Sequence, residues 1–357
     1  MSLLAQTLSS IEPPDENAAA AVAARLDSLT KPRGSLGYLE EIAQRYAAVR
    51  GDPEAKLGER EILVFVADHG VVEQGVSAYP KQVTVEMLRN LARGGAAISV
   101  LARRLGLRLE LVDVGVEHDT RAEGLPGIVY RRIGAGTRNF AREPAMTPEQ
   151  ARAALEVGIE LARGAAARGA TLLGIGEMGI GNSTAAAAVL AAATGIAPQL
   201  LAGHGAGIDE EGRRRKVAVI REALYLHRAA LRDALGILAA VGGFEIGAMA
   251  GACLGAAAAR IALVVDGFIA TAGAALAEKL SPGLCARLFF AHRSADGGHQ
   301  LVLDHLGAGR PILELGMRLG EGTGAALAMT VIDCALTLLN QMATFSGAGV
   351  SERIGPS

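Results

Sequence analysis

The chain has 357 residues, half of them hydrophobic, with 46 glycines, no tryptophan and 35 basic against 37 acidic side chains; it can bury a large alanine-rich core and offers no overall field for holding DNA or RNA. Its three cysteines, Cys253, Cys285 and Cys334, are odd in number and set among apolar neighbours, which argues against a disulfide framework and for buried thiols in a reducing compartment. The length exceeds the usual single domain but suits one large α/β unit with an appendage.

Met1 to Glu16 has neither a basic start nor a sustained apolar run before Pro13 and Pro14, so no secretory signal is expected and the cytoplasm is the expected setting. Residues 1–55 read as helices punctuated by Pro and Gly. Short β-branched runs then follow at Ile62–Ala67, Leu109–Val114, Thr171–Ile175, Ile261–Val265 and Arg287–Phe290, each the pattern of a buried strand. Between them, Val85–Leu105, Pro148–Ala167, Arg213–Ala230 and Gly247–Ala259 are long enough for crossover helices, and Ala325 to about Thr344 predicts a last long helix. The alternation implies an α/β fold with a mainly parallel, Rossmann-like sheet flanked by helices. The most apolar stretch, Ile261–Leu276, is interrupted by Asp266 and falls short of the roughly 20 residues of a membrane helix; no membrane partner is expected. The last ten residues are expected to be loosely held.

Polar residues and glycines collect just after the strands, at Asp68-His69-Gly70, Gly115, Gly176-Glu177, Asp266-Gly267 and His292. In an open parallel sheet that carboxyl edge is where ligands bind. Gly174 to Thr184 matches G-x-G-x-x-G, but the stretch Ala197–Asp209 lacks the acid-ended strand that a dinucleotide site requires. One phosphate at a helix N-terminus and tight packing of small residues both remain open readings. A second loop, Gly203 to Gly207, leads through Asp209-Glu210-Glu211 to Arg213-Arg214-Arg215-Lys216. The arginines suit an exposed helix start, whereas Lys216, beside an apolar run, is able to turn inward to an anion.

The third loop, Gly320-Glu321-Gly322-Thr323-Gly324, puts a carboxylate between glycines just before the last helix. Glu321 either favours that helix start electrostatically or acts as a base, with Leu315, Met317 and Leu319 expected to desolvate it and raise its proton affinity. His69, His204, His292 and His299 have no metal-site spacing, so neither metal nor cofactor is expected.

Together these segments resemble the nicotinate-nucleotide:dimethylbenzimidazole phosphoribosyltransferase family over nearly the whole chain. The motifs are Lys31-Pro-Arg-Gly-Ser-Leu-Gly37, Ala67-Asp-His-Gly-Val71, Tyr79-Pro-Lys-Gln-Val-Thr84, Gly176-Glu-Met-Gly179, Gly242-Gly-Phe-Glu245, Val265-Asp-Gly-Phe268 and Arg318-Leu-Gly-Glu-Gly-Thr-Gly324. The resemblance implies transfer of the ribose phosphate of nicotinate mononucleotide to a benzimidazole-type base in cobalamin assembly, with Glu321 as catalytic base. It implies phosphate and ribose contacts at Glu177, Gly179, Gly205, Lys216, Asp266, Gly267 and Ser294, with Tyr79, Met178 and Leu319 as pocket walls. It also implies a homodimer, and a small helical domain from residues 1–55 with 325–357 beside a catalytic domain at 56–324. The loop at His204 and Ala206, and Asp296-Gly297, depart from the family's usual form. Two other functions fit the glycine loops: a nucleotide-binding sensor without catalysis, and a Mg²⁺-dependent phosphoribosyltransferase with a pyrophosphate donor, although the latter type places paired acids where Val265-Asp266-Gly267 has one.

Overall fold

The computed structural model describes residues 1–351; the expectation for the end of the tail falls on 352–357, outside the described residues. Six parallel strands form one sheet: β1 (Glu59–Ala67), β2 (Arg108–Gly115), β3 (Ile128–Tyr130), β4 (Ala170–Met178), β5 (Ala262–Val265) and β6 (Leu288–Phe290). Their order is β3-β2-β1-β4-β5-β6. Five of them grow from the apolar runs. The sixth, β3, is a half-buried edge strand of three residues, too short to leave a hydrophobic signature.

Successive side chains of a strand point to opposite faces, and here both faces are covered. Leu63, Phe65 and Ala67 of β1 enter one core, while Ile62, Val64 and Val66 enter the other. That double burial is why the strands read as continuous apolar runs. On the first face, helices Pro148–Ala167 and Phe244–Ala258 press together so closely that a Cβ on Gly251 would lie 1.9 Å from the Leu155 carbonyl oxygen. The alanine- and glycine-rich composition is the requirement of this contact.

On the second face, helices Glu16–Ser28, Tyr38–Arg50 and Thr323–Gln341 share one apolar cluster with the sheet, in which Val22, Ile42 and Leu336 meet Ile62 and Val264. Arg25 Nε donates to the Leu339 carbonyl at 2.9 Å, tying the two ends of the chain. Helix Leu3–Ser9 does not join them; its Leu4 is buried in the core of the opposite face. The expected helix Val85–Leu105 is two helices, Val83–Ala92 and Ala97–Leu105, because Gly94 between them takes a left-handed φ of 82°. Helix Thr323–Gln341 is long and apolar enough to cross a bilayer by length and composition, yet Ala325, Met329, Ile332 and Leu336 lie buried in the sheet-facing core. Its outer face carries Cys334, which is exposed, so the expectation of three buried thiols holds only for Cys253 and Cys285.

Chain order reverses between β1 and β4: β2 and β3 extend the sheet on one side, β5 and β6 on the other. The crevice outside the carboxyl ends of β1 and β4 is therefore the switch point at which an open α/β sheet receives its ligand.

Candidate active site

A cavity of about 640 Å³ opens at that crevice. Tyr79, Val83 and Met87 wall it on the β1 side, Met178 to Ser183 on the β4 side, and Gly205, Asp296, Arg318, Leu319 and Glu321 close the rest.

Glu321 stands at the end of the cavity nearest the last helix. Its backbone is left-handed, φ 62°, between Gly320 at 86° and Gly322 at 82°. For a non-glycine residue that conformation costs about 1–3 kcal/mol and persists only where the surroundings impose it. They do so through several bonds: Glu321 N donates to the Glu177 carbonyl at 3.2 Å, Thr323 Oγ1 to the Gly320 carbonyl at 2.8 Å, and the Asp266 carboxylate accepts from Gly322 N at 3.2 Å and Ala325 N at 2.9 Å. The side chain is 4% exposed, and its Oε2 is buried without a partner among the described residues. Burial raises its pKa, opposed by the backbone N–H of Ile98 at the start of helix Ala97–Leu105 and assisted by the charge of Asp266. The dehydration comes from the crevice itself rather than from the neighbours in sequence: Leu315 and Leu319 are both 59% exposed, and of those two only Leu319 borders the cavity.

The G-x-G-x-x-G stretch has a different meaning in three dimensions. β4 runs on through Met178, so Gly174 and Gly176 lie inside the strand. A Cβ on Gly176 would meet Gly322 N at 2.2 Å; its glycine lets the Glu321 loop lie directly across the strand end. Only Gly179 to Gly181 forms a turn, and it opens helix Asn182–Thr194. Glu177, at the end of β4, is buried; its carboxylate accepts from the Asn182 amide. Burial, then the charges of Asp266 and Glu245, raise its pKa well above the ordinary value.

A second polar group lines the cavity at the start of helix Asn182–Thr194. Ser183 sits in the first turn of that helix, where the dipole favours negative charge, while the neighbouring Asn182 and Thr184 N–H groups donate to the Gly179 and Gly181 carbonyls. Lys216 Nζ donates to Ser183 Oγ at 2.9 Å. The lysine is 1% exposed, and burial pushes its pKa down to about 8, opposed by Asp296. It lies behind Ser183 and Gly205 rather than on the cavity surface. Gly267 and Ser294 line a small adjoining recess with Glu177, Asp266 and His292.

Thus Glu177, Gly179, Gly205, Tyr79, Met178, Leu319 and Glu321 share the main cavity, Asp266, Gly267 and Ser294 the recess, and Lys216 the layer beneath. Asp266 spends its carboxylate on backbone amides of the Glu321 loop. Four further lining residues, Asn182, Ser183, Asp296 and Arg318, were not singled out from sequence. Ser183 was within reach, as the first-turn residue of a helix that follows a glycine turn. Asp296, which accepts from Gly205 N at 3.1 Å, and Arg318, which donates to the Gly205 carbonyl at 3.0 Å, come from remote segments; sequence marked one as a departure from the family form and the other as the head of a motif, and neither as a partner of Gly205. The arginines of helix Glu210–Leu226 behave as surface groups, Arg213 and Arg215 pairing with Glu210 and Glu211.

The family model described as Phosphoribosyltransferase matches residues 11–350. A nicotinate-nucleotide–dimethylbenzimidazole phosphoribosyltransferase of Geobacter sp. (strain M21) is 50% identical, covering 99% of this chain and 100% of its own length. One of the same name from Chloroflexus aurantiacus is 49% identical with the same coverage. The crystal structure of the phosphoribosyltransferase of that name from Thermus thermophilus superposes with a TM-score of 0.88 at 47% identity, covering 95% of this chain and 100% of the other.

Proposed function

The chain belongs to the family of nicotinate-nucleotide–dimethylbenzimidazole phosphoribosyltransferases, and from that premise we propose that it transfers the 5-phosphoribosyl group of nicotinate mononucleotide to 5,6-dimethylbenzimidazole or a related base. The products are nicotinate and the α-ribazole 5′-phosphate used in the nucleotide loop of cobalamin. The observation that carries this reading is the dehydrated Glu321 carboxyl, with its unpartnered Oε2, in the lining of a cavity that also takes in the first turn of helix Asn182–Thr194, backed by Lys216.

The chemistry follows from the substrates. The nicotinate ring of the nucleotide is a pyridinium, so when the C1′–N bond breaks the electron pair returns to nitrogen and the ring leaves uncharged at that atom. One nitrogen of the benzimidazole forms the new bond to C1′ from the opposite face, inverting β to α. Its other nitrogen gives up a proton to the Glu321 carboxylate. Met87, Met178, Val83 and Tyr79 supply an apolar slot for the flat base; the Asn182 helix start and Gly205 face the phosphate, with Lys216 behind them holding Ser183 Oγ. Glu177 and the recess at Asp266 face the ribose, where carboxyl oxygens can accept from its hydroxyls. Holding both reactants in line supplies roughly 7–11 kcal/mol of barrier reduction.

The test is incubation with nicotinate mononucleotide and a panel of benzimidazoles, with and without Mg²⁺. Nicotinate and an α-ribotide are expected in both. Binding without nicotinate release would instead indicate a sensor, and strict dependence on Mg²⁺ and a pyrophosphate donor the other transferase class.

Two dependences on pH and charge follow. The base must be ionised, and burial raises Glu321, so the rate of nicotinate release falls as pH is lowered through a value above the ordinary carboxylate range; a pH–rate profile checks this. Lys216→Met removes the buried positive charge that holds Ser183 Oγ at the cavity, so the Michaelis constant for nicotinate mononucleotide rises by about 10-fold, while that for the base stays the same. In the intact enzyme nucleotide affinity weakens as pH rises past about 8, where Lys216 loses its proton.

A second copy of the chain is the partner implied by the family resemblance, and the exposed Leu200, Leu301, Leu315 and Tyr225 are apolar side chains suited to such a contact; a mass by light scattering tests it. The cytoplasm is the setting we assign, in keeping with the exposed free thiol of Cys334.

A further inference from the structure

Two motifs take no part in the chemistry above: Ala67 to Val71 after β1, and Gly242 to Glu245 at the start of helix Phe244–Ala258. They meet in one contact between residues 176 positions apart in the chain, His69 Nε2 to Glu245 Oε1 at 2.8 Å. Both side chains are fully buried. Gly243 is required by the same contact, since a Cβ there would lie 2.5 Å from His69 Cε1 and 2.6 Å from a Glu245 oxygen.

Stability does not account for this pair. Taking two ionisable groups out of water is repaid only when their remaining donors and acceptors are met, and here His69 Nδ1 and Glu245 Oε2 both lack partners among the described residues. Buried polar groups left this way call for another reason.

The surroundings supply one. The His69 ring lies under the turn that receives the nucleotide: a Cβ on Gly179 would be 3.4 Å from His69 Cδ2, and one on Gly181 3.4 Å from His69 Cβ. From above, Thr84 Oγ1 accepts from Ile180 N at 3.1 Å, so the turn is clamped between a hydroxyl and the imidazole. Gly179, Ile180 and Gly181 line the cavity. On its other side the Glu245 carboxyl bears on Glu177, whose proton affinity it helps to raise together with Asp266 and Glu321. Asp68 is the remaining acid near His69.

We propose that His69 and Glu245 are a buried positioning pair for the nucleotide half of the site, fixing the Gly179–Gly181 turn in the geometry that grips the ribose phosphate. The pair touches no substrate and acts through that turn. This inference rests on the transferase reading for the identity of the nucleotide.

The test compares the full-length parent with Glu245→Gln, His69→Gln and the double variant. Affinity for nicotinate mononucleotide is read by calorimetry, kcat and the Michaelis constant for dimethylbenzimidazole by nicotinate release, and folding by thermal midpoint. Displacement of a binding group by about an ångström lowers binding or rate by up to about a hundredfold. Each single variant is therefore expected to weaken nucleotide binding by about tenfold or more, with the Michaelis constant for the base within about twofold of the parent. The double variant is expected to lose less than the sum of the singles, because either single substitution already disrupts the one contact that the two residues share. Folded single variants that bind the nucleotide as the parent does would overturn the proposal. So would variants whose base and nucleotide constants deteriorate together with the thermal midpoint, the mark of a packing role alone. A parent that binds the nucleotide but releases no nicotinate ends the assignment of the reaction and leaves the binding comparison to decide the pair's role; a parent that binds no nucleotide overturns both.

Discussion

Replacing Glu321 by Gln lowers the single-turnover rate of nicotinate release by about 10²- to 10⁴-fold, the contribution of a well-placed general base, and leaves nucleotide affinity close to that of the parent. Glutamine preserves the volume and the contact with the start of helix Ala97–Leu105, so the loss isolates proton acceptance. The unpartnered Oε2 makes the expectation sharp: the carboxyl satisfies no hydrogen bond of the fold with that atom, and its removal leaves no protein donor stranded there. The acidic limb of the pH–rate profile should vanish with it. Rapid-quench measurement of nicotinate at saturating base is the check, and an unchanged rate would remove Glu321 from the mechanism.

Asp266→Ala is the second large effect, and it acts on the same carboxyl from behind. Without Asp266 the N–H groups of Gly322 and Ala325 lose their acceptor inside the protein, at a cost of about 1–3 kcal/mol for each buried donor left unmet. The left-handed backbone at Glu321 then has one fewer restraint, so both the thermal midpoint and kcat fall, whereas Asp266→Asn, which keeps one acceptor oxygen, falls less in both. The pH dependence of stability identifies the group. Burial pushes Asp266 from its ordinary 3.8 up to about 7, against the backbone donors that favour its charged form. Between those values the native chain holds a proton that the unfolded chain has released, so the stability contributed by the neutral form is present at the acidic end and is lost as pH rises through about 7. Thermal midpoints measured across that interval should decline for the parent and be flatter for Asp266→Asn.

Much of the site was legible because its parts are short and local. A carboxylate between glycines before a helix, an acid at the end of a strand and a lysine beside an apolar run each depend on neighbours within a few residues, and periodicity of apolar residues is enough to mark strands and helices. The failures have equally physical causes. Gly174 and Gly176 look like a phosphate loop, but their missing side chains admit a loop and helix arriving from residues 321–329; sequence shows that a Cβ is absent, never what occupies its place. Asp266 reads in sequence as a ligand for ribose, and no local stretch shows that its oxygens also accept from amides nearly sixty positions away. Leu315 and Leu319 were expected to dehydrate Glu321 and are instead more than half exposed, only Leu319 bordering the cavity, since a loop with three consecutive left-handed residues directs its side chains by no simple period.

By itself, then, the order of residues determined the parallel α/β architecture, the carboxyl edge as the place of binding, and the kinds of chemical group available there, because these follow from local sterics and from the burial of apolar runs on both faces of a sheet. Only the tertiary structure decided which groups share a cavity and which stand behind it. The chain reverses its direction of sheet growth between β1 and β4, and that reversal brings Glu177, Asp266 and Glu321 from three distant segments to one crevice, with His69 and Glu245 buried beneath it. Proximity between remote segments, and the loss of water that comes with it, raises the proton affinity of Glu177, Asp266 and Glu321, and neither quantity is written in any local stretch of sequence.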